Sequence, residues 1–195
     1  MAFIGMRHVV VAKLTSYTAG SEPTYSTGMV AGKAITGNLT INRNDNPLYA
    51  DDVIAEDDNG ITGMDLELGL DDLDEDTQDY IGLLKKVTAG TPSVTTYYEN
   101  SAAAHVVGVG YMRVRRKNGA TTFQGVWIYK TLFSKNSENS QTKGETIEWQ
   151  TPTVNGRCMG LSVDSTGEAT FRKIRNFDTE EDAEDWLNGL AGISA

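Results

Sequence analysis

"HVVGVGYMRVRRKNGATTFQGVWIYKTLF", residues 105–133, decides the fold. Two runs rich in Val, Ile and aromatic residues flank Lys117-Asn118-Gly119-Ala120. A type I′ hairpin turn needs positive φ at both central positions, and Asn-Gly supplies it. The stretch therefore predicts two long antiparallel strands joined by a tight turn. Gly108, Gly110 and Gly125 interrupt those strands. Glycine weakens a strand unless another group approaches closely. Two readings stay open: a curved sheet whose gaps are filled by Tyr111, Trp127 and Tyr129, or close approach of a neighbouring subunit.

Working outward, strand patterns recur on both sides. Upstream lie "MRHVVVAKL" (6–14), "KAITGNLTINRN" (33–44), "LYADDVIAEDD" (48–58) and "GITGMDLELGL" (60–70). In the last of these Met64, Leu66, Leu68 and Leu70 alternate with Asp65 and Glu67. Downstream, "ETIEWQTPTVNGRCMGLSV" (145–163) and "EATFRKIR" (168–175) give two or three more strands. Residues 15–33 read as a polar loop punctuated by Gly and Pro. The period changes in "DDLDEDTQDYIGLLKKVTAG" (71–90), which predicts a helix with acids in its first turns, Lys85 and Lys86 in its last, and Gly90 at its end. "DTEEDAEDWLNGL" (178–190) predicts a short helix capped by Thr179, with Ala183, Trp186, Leu187 and Leu190 on one face. The expected architecture is mainly β, an antiparallel sandwich or barrel with one flanking helix and a short C-terminal helix. Residues 1–175 form the body, with loop 15–33 and an acidic hairpin at 44–60; residues 176–195 form a helical extension.

At 195 residues, a single core can bury roughly 70% of the unfolded chain's surface. The net charge of −10 argues against general nucleic-acid binding, which needs a basic face. The charge is segregated. Residues 44–84 hold 14 acids and no bases, residues 85–177 hold 13 bases and 6 acids, and residues 178–195 hold 6 acids and no bases. Acidic and basic strands that neutralise each other within one chain would explain this; so would head-to-tail association of copies. The single cysteine, Cys158, excludes an internal disulfide framework. No apolar run reaches membrane-spanning length, and the N-terminus, broken by Arg7, His8 and Lys13, does not read as a signal peptide.

Catalytic and metal motifs are absent. "DDVIAEDDNGIT" (51–62) lacks the spacing and final Glu of an EF-hand loop. His8, His105 and Cys158 fall in separate strands with no close ligand pair, so no metal is expected. "GMVAGKA" (28–34) is one residue short of a phosphate loop and has Ala34 where Ser or Thr binds magnesium; it reads as a flexible loop. "GVG" at 108–110 sits inside a strand rather than before a helix. No Ser occupies a nucleophile elbow. Neither an enzyme nor a cofactor is expected.

One stretch carries a family resemblance. "GYMRVRRKNGATTFQGVWIYKTLFSKNSENSQTKGETIEWQTPTVNG", residues 110–156, resembles the major tail protein, or tail tube protein, of long-tailed bacteriophages with non-contractile tails. An aromatic strand ending in basic residues, a Lys/Asn/Gly turn, a strand ending in aromatic-Tyr-Lys and a "TKGE-I-W-QTPT--G" segment follow one another as they do there. "NPLYADD" and the acidic-started segment after it match in order, so the resemblance spans about residues 34–156.

The resemblance implies a structural virion protein made in a bacterial host cytoplasm. Such proteins assemble into rings, usually of six, that stack into a hollow tail tube. The implied partners are further copies of the chain, the tape-measure protein, the tail terminator and the distal tail or baseplate proteins. DNA passes through the lumen without specific binding, and the chain does not insert into a membrane. The implied subunit contacts are Tyr49, Asp51, Asp52, Glu56, Asp57 and Asp58 in the acidic hairpin and the basic cluster Arg113, Arg115, Arg116 and Lys117, with Trp186 as a further candidate. The inner tube of a contractile tail, phage-like bacteriocin or type VI secretion machine is the nearest alternative. A monomeric acidic β-domain binding calcium or carbohydrate is the alternative of another class.

Overall fold

A computed structural model describes residues 2–44, 46–50, 53–99, 104–135 and 151–193. The hairpin that decided the sequence reading is its centre. Strands β9 (Val106–Lys117) and β10 (Ala120–Ser134) pair antiparallel, with Lys117 opposite Ala120. Asn118 and Gly119 take φ of 51° and 84° at the turn, the conformation that only a few residue types adopt readily. Strand β10 is forked. Its first half pairs β12 (Arg172–Phe177), and its last residues pair β11 (Thr153–Cys158). With β1 (Ala2–Ser16), β2 (Thr24–Gly32), β3 (Ala34–Arg43) and β6 (Ile61–Leu70), they form one antiparallel sheet in the order β2-β1-β9-β10-β11-β6-β3. The sheet curls so that Met6 on β1 lies over Gly37 on β3.

The curl separates two apolar layers. Inside the curve, Val9, Leu66, Leu68, Leu70, Val107, Val109, Val126 and Ile128 pack together. Asp65 and Glu67 face out, as the alternation in β6 predicts. Outside the curve, Val10, Met112, Trp127 and Tyr129 would face water, but α2 (Glu180–Ala191) covers them with Ala183, Leu187 and Ala191. Thr179 caps α2 by accepting the Asp182 N–H at 3.2 Å. The helical extension is thus built into the body as the lid of its outer layer.

Three expectations need correction. Residues 15–33 are not one loop: only the middle is irregular, and Thr24–Gly32 is β2, paired along β1. "GMVAGKA" is accordingly the end of β2 and the start of β3 rather than a flexible loop. The central helix is also shorter than 71–90. α1 runs over Glu75–Ile81, capped by Asp74, which accepts the Thr77 N–H at 2.8 Å. It stops at Gly82, where φ is 83° and the N–H turns back to Gln78 and Asp79, a left-handed glycine cap. Beyond it Lys85 and Lys86 start β7 (Lys85–Ala89), which pairs β8 (Val94–Tyr98). Val87 and Thr88 favour strand over helix, and with Gly82 they outweigh the helical spacing of Leu84.

Two ribbons extend beyond the sheet. β4 (Asn46–Ala50) and β5 (Val53–Asp58) form the extended hairpin expected at 44–60 as the outer end of the β3–β6 pair: Arg43 faces Ile61, the Asn44 N–H donates to the Gly60 carbonyl at 2.8 Å, and Asn46 faces Asp58. β7–β8 form the other. Among the described residues neither ribbon gains a third strand.

The glycine question resolves within the chain. A Cβ on Gly108 would meet Trp127 and Tyr25 at 2.6 Å. One on Gly110 would meet Trp127 and Val10 at 2.8 Å and Leu187 at 2.9 Å, and one on Gly125 would meet Trp186 at 2.6 Å. These glycines are slots for the chain's own aromatic rings and for α2.

Candidate interaction surfaces

Strand parity places the basic residues. Arg113 and Arg115 continue the core-side row Val107, Val109 and Tyr111 beyond the end of the inner layer. Arg116, one residue on, faces the other way and is exposed. The sequence cluster is therefore divided between two faces of β9. Asp51 and Asp52 lie outside the described residues, as do the side chains of Tyr49, Glu56, Asp57, Asp58 and Lys117.

Register assembles the partners of the two arginines. Phe3 sits opposite Arg115 and Met6 opposite Arg113 across β1 and β9. Gln124 sits opposite Arg113 across β9 and β10, and Asn176 opposite Gln124 across β10 and β12. The side chains join accordingly. Arg113 Nη2 donates to Gln124 Oε1 at 2.8 Å, Gln124 Nε2 donates to Asn176 Oδ1 at 2.9 Å, and Arg115 Nη1 donates to the same oxygen at 2.9 Å. The Arg113 and Arg115 guanidiniums lie 4.4 and 5.0 Å from the Phe3 ring centre, within range of cation–π attraction. Nε of both arginines is buried without a hydrogen-bond partner. Among the described residues, no carboxylate reaches either guanidinium. Burial pulls the Arg113 guanidinium below its ordinary value; Tyr111 opposes the shift, and Arg172 and Arg115 add to it. Arg172 and Ile174 of β12 extend the same face, Ile174 being 43% exposed. Of this surface the sequence reading had Arg113 and Arg115. It missed Phe3, Gln124, Arg172 and Asn176, because the β1–β9, β9–β10 and β10–β12 registers join them and no local pattern encodes those registers.

The sheet's open edges form a second surface. Residues 2–8 of β1 pair β9 on one side only, since β2 begins its pairing at Val9. Among the described residues, β3 ends the strand order and pairs with β6 alone. Both edges carry exposed apolar side chains: Phe3 at 47%, Ile4 at 58%, Ile35 at 53% and Ile41 at 36%. Long apolar edges are templates for pairing with another chain.

The β7–β8 ribbon is held at its base by α1. Asp76 Oδ1 accepts from Lys86 Nζ at 2.7 Å and from Tyr97 Oη at 2.7 Å, while Asp79 Oδ1 accepts the Lys86 N–H at 2.7 Å. The hydrogen bond from Lys86, then that from Tyr97, holds the Asp76 carboxyl below its usual value. The ribbon displays exposed Val94 and Tyr98.

Trp186 packs on its own chain, with its ring centre 5.6 Å from that of Phe177 and its edge in the Gly125 slot. Arg7 and Glu180 pair at 2.8 Å, and His8 Nε2 meets Asn188 Oδ1 at 2.8 Å, which fastens α2 to β1.

A groove of about 670 Å³ opens between β1, the β2–β3 corner and α2. Its rim mixes Arg7, His8 and Lys33 with Asp71, Asp72 and Glu184, and its lining holds no Ser, Thr or Cys. Asp71 is engaged, accepting the Lys33 and Asp72 N–H groups at 2.7 and 2.9 Å. Among the described residues no group of three or more His, Cys, Asp or Glu gathers around a point that could hold a metal ion, and no helix is long and apolar enough to cross a membrane. Cys158 is buried, its thiol pushed up by that burial, and receives the Thr131 hydroxyl at 3.6 Å.

No family model matches the chain, and no curated protein matches it. The described surfaces are apolar edges, two ribbons and a basic face that no described carboxylate reaches, all suited to contact with protein.

Proposed function

We propose that the protein is a self-assembling structural subunit, the tube-forming protein of a long, non-contractile phage tail, whose copies close into rings and stack. The observation that carries this reading is the pair of open edges, β1 residues 2–8 and β3, with exposed Phe3, Ile4, Ile35 and Ile41. A monomer left with such edges invites uncontrolled pairing, whereas a closed ring satisfies them. The family resemblance of residues 34–156 and the curled antiparallel sheet with its flanking and C-terminal helices support the same reading. So does the segregation of charge, because an acidic and a basic face on each copy would set register between copies. On this reading the tape-measure, terminator and distal tail proteins are its assembly partners, DNA traverses the lumen without specific binding, and the tail of the virion is where the protein resides.

The test is negative-stain electron microscopy of purified protein across a concentration series. Annular particles or tubes of uniform bore are expected. Isolated globules at every concentration, with a monomer mass in light scattering, would overturn the reading.

A further inference from the structure

Among the described residues, no carboxylate answers the charge of the face built from Phe3, Arg113, Arg115 and Arg172. Its three guanidiniums rise on one side of the sheet from β9 and β12, which flank β10. Their described neighbours there are neutral: Gln124 and Asn176 accept from Arg113 and Arg115, and Phe3 stacks beneath those two. Arginine forks match carboxylates, and a charge-assisted bidentate pair is about twice as strong as a neutral hydrogen bond. The partly apolar floor lowers the local dielectric and makes such a pair more favourable still.

The chain also contains the complementary element. The 44–60 segment carries six acids and no base. It prolongs the β3–β6 hairpin in the same register, with Arg43 facing Ile61, the Asn44 N–H donating to the Gly60 carbonyl at 2.8 Å and Asn46 facing Asp58. Beyond that point, among the described residues, its strands pair with each other alone. A two-stranded ribbon without a third strand is marginal in water and gains from docking. Its five- and six-residue strands give it a reach of about 20 Å. The other acidic elements are engaged. Glu180 of α2 pairs with Arg7, and that helix is fixed over the outer layer. Around α1, Asp71 accepts the Lys33 N–H, Asp74 the Thr77 N–H, Asp76 the Lys86 ammonium and Tyr97 hydroxyl, and Asp79 the Lys86 N–H.

We infer that the β4–β5 ribbon of one copy docks on the Phe3–Arg113–Arg115–Arg172 face of the next, its carboxylates answering the arginines. This rests on the tube reading and adds to it a defined contact between copies.

The test is charge exchange between two versions of the full chain. One carries Arg115→Glu; the other carries Glu56→Lys, Asp57→Lys and Asp58→Lys. Assembly is followed by sedimentation and electron microscopy at fixed salt, and folding of each version by circular dichroism. Each version alone is expected to need roughly tenfold or more protein to assemble, the scale of one lost charged contact. An equimolar mixture is expected to recover assembly, because in an alternating order half of the contacts restore Arg115 against an acidic ribbon and the other half set the introduced Glu at 115 against the introduced lysines. Arg115→Gln carries the same test should the reversal not fold, with a smaller loss and a flatter salt response. Recovery only when all substitutions share one chain means that the ribbon docks on its own subunit, which overturns the inference. Unchanged assembly of both versions overturns it as well. So does retention of a 20-base-pair DNA duplex by the wild type at physiological salt that Arg115→Glu abolishes, since the occupant is then a phosphate backbone. A wild type that never assembles is a separate outcome: it removes the tube reading itself, and this contact with it.

Discussion

Gly110→Ala gives the sharpest test of how the two sides of the sheet are joined. The new methyl would point into the outer layer, 2.8 Å from Trp127 Cε3, 2.8 Å from Val10 Cγ2 and 2.9 Å from Leu187 Cδ2. All three side chains are 0% exposed, so none can swing into solvent. Forcing a methylene-sized group into such a site costs about 1–3 kcal/mol. Replacing a strand glycine restores about 0.5–1 kcal/mol by narrowing the unfolded ensemble. The difference spans about 0–2.5 kcal/mol, and three close neighbours that cannot move into solvent put the expected net loss in its upper part, about 1–2 kcal/mol, which lowers the urea midpoint by roughly 0.5–1 M at ordinary slopes. Far-UV circular dichroism in a urea series measures it. Gly5→Ala is the control, because nothing lies within 4 Å of its added Cβ and no loss is expected. Leu187→Ala alone opens a cavity at a cost of about 2–5 kcal/mol. In the double variant the new methyl enters the vacated space, so the two losses combine to less than their sum by at least ~0.5 kcal/mol. Strict additivity, or a Gly110→Ala variant as stable as the wild type, would refute the packing of α2 into the glycine slots.

The ribbon anchor makes a pH prediction. The Asp76 carboxyl is held below its ordinary value of 3.8, so its contribution to anchoring is complete above the unfolded-state value and fades as pH falls through the lower folded one. A carbon-detected NMR titration should place the Asp76 midpoint under 3.8, and Lys86→Met should return it toward that value; a midpoint at or above 3.8 in the wild type contradicts the contact. The sole thiol gives a third measure. Cys158, buried with its pKa raised, should resist iodoacetamide in the native protein and react at a rate set by opening of the fold. Fast labelling without denaturant would place it elsewhere.

Local chemistry made much of this architecture readable. Asn118-Gly119 announced its turn because few residue pairs tolerate two positive φ angles in succession. The alternation of Met64, Leu66, Leu68 and Leu70 survived because β6 buries one face only. Thr179 capped α2 as its position before an acidic turn requires. β2 was illegible for the opposite reason: "TYSTGMVAG" has the composition of a loop, and only its ladder with β1 makes it a strand. β7 was misread because Leu84 and the two lysines continue a helical spacing that Gly82 has already ended. The interaction face failed at a third level. Adjacency in sequence grouped Arg116 with Arg115, whereas a strand sends neighbours to opposite sides. Phe3 and Asn176 come from the two ends of the chain, and only the β1–β9 and β10–β12 registers bring them to the arginines.

The lid over the outer layer follows every strand of the sheet in chain order. A polypeptide that stalls or is clipped before Glu180 can form its hairpins, yet it leaves Val10, Met112 and Trp127 bare to the solvent. Such a fragment is sticky along a whole flank, and degradation machinery that recognises naked hydrocarbon would find it at once. Completion of the lid is therefore the last step in the chain that takes this flank out of water.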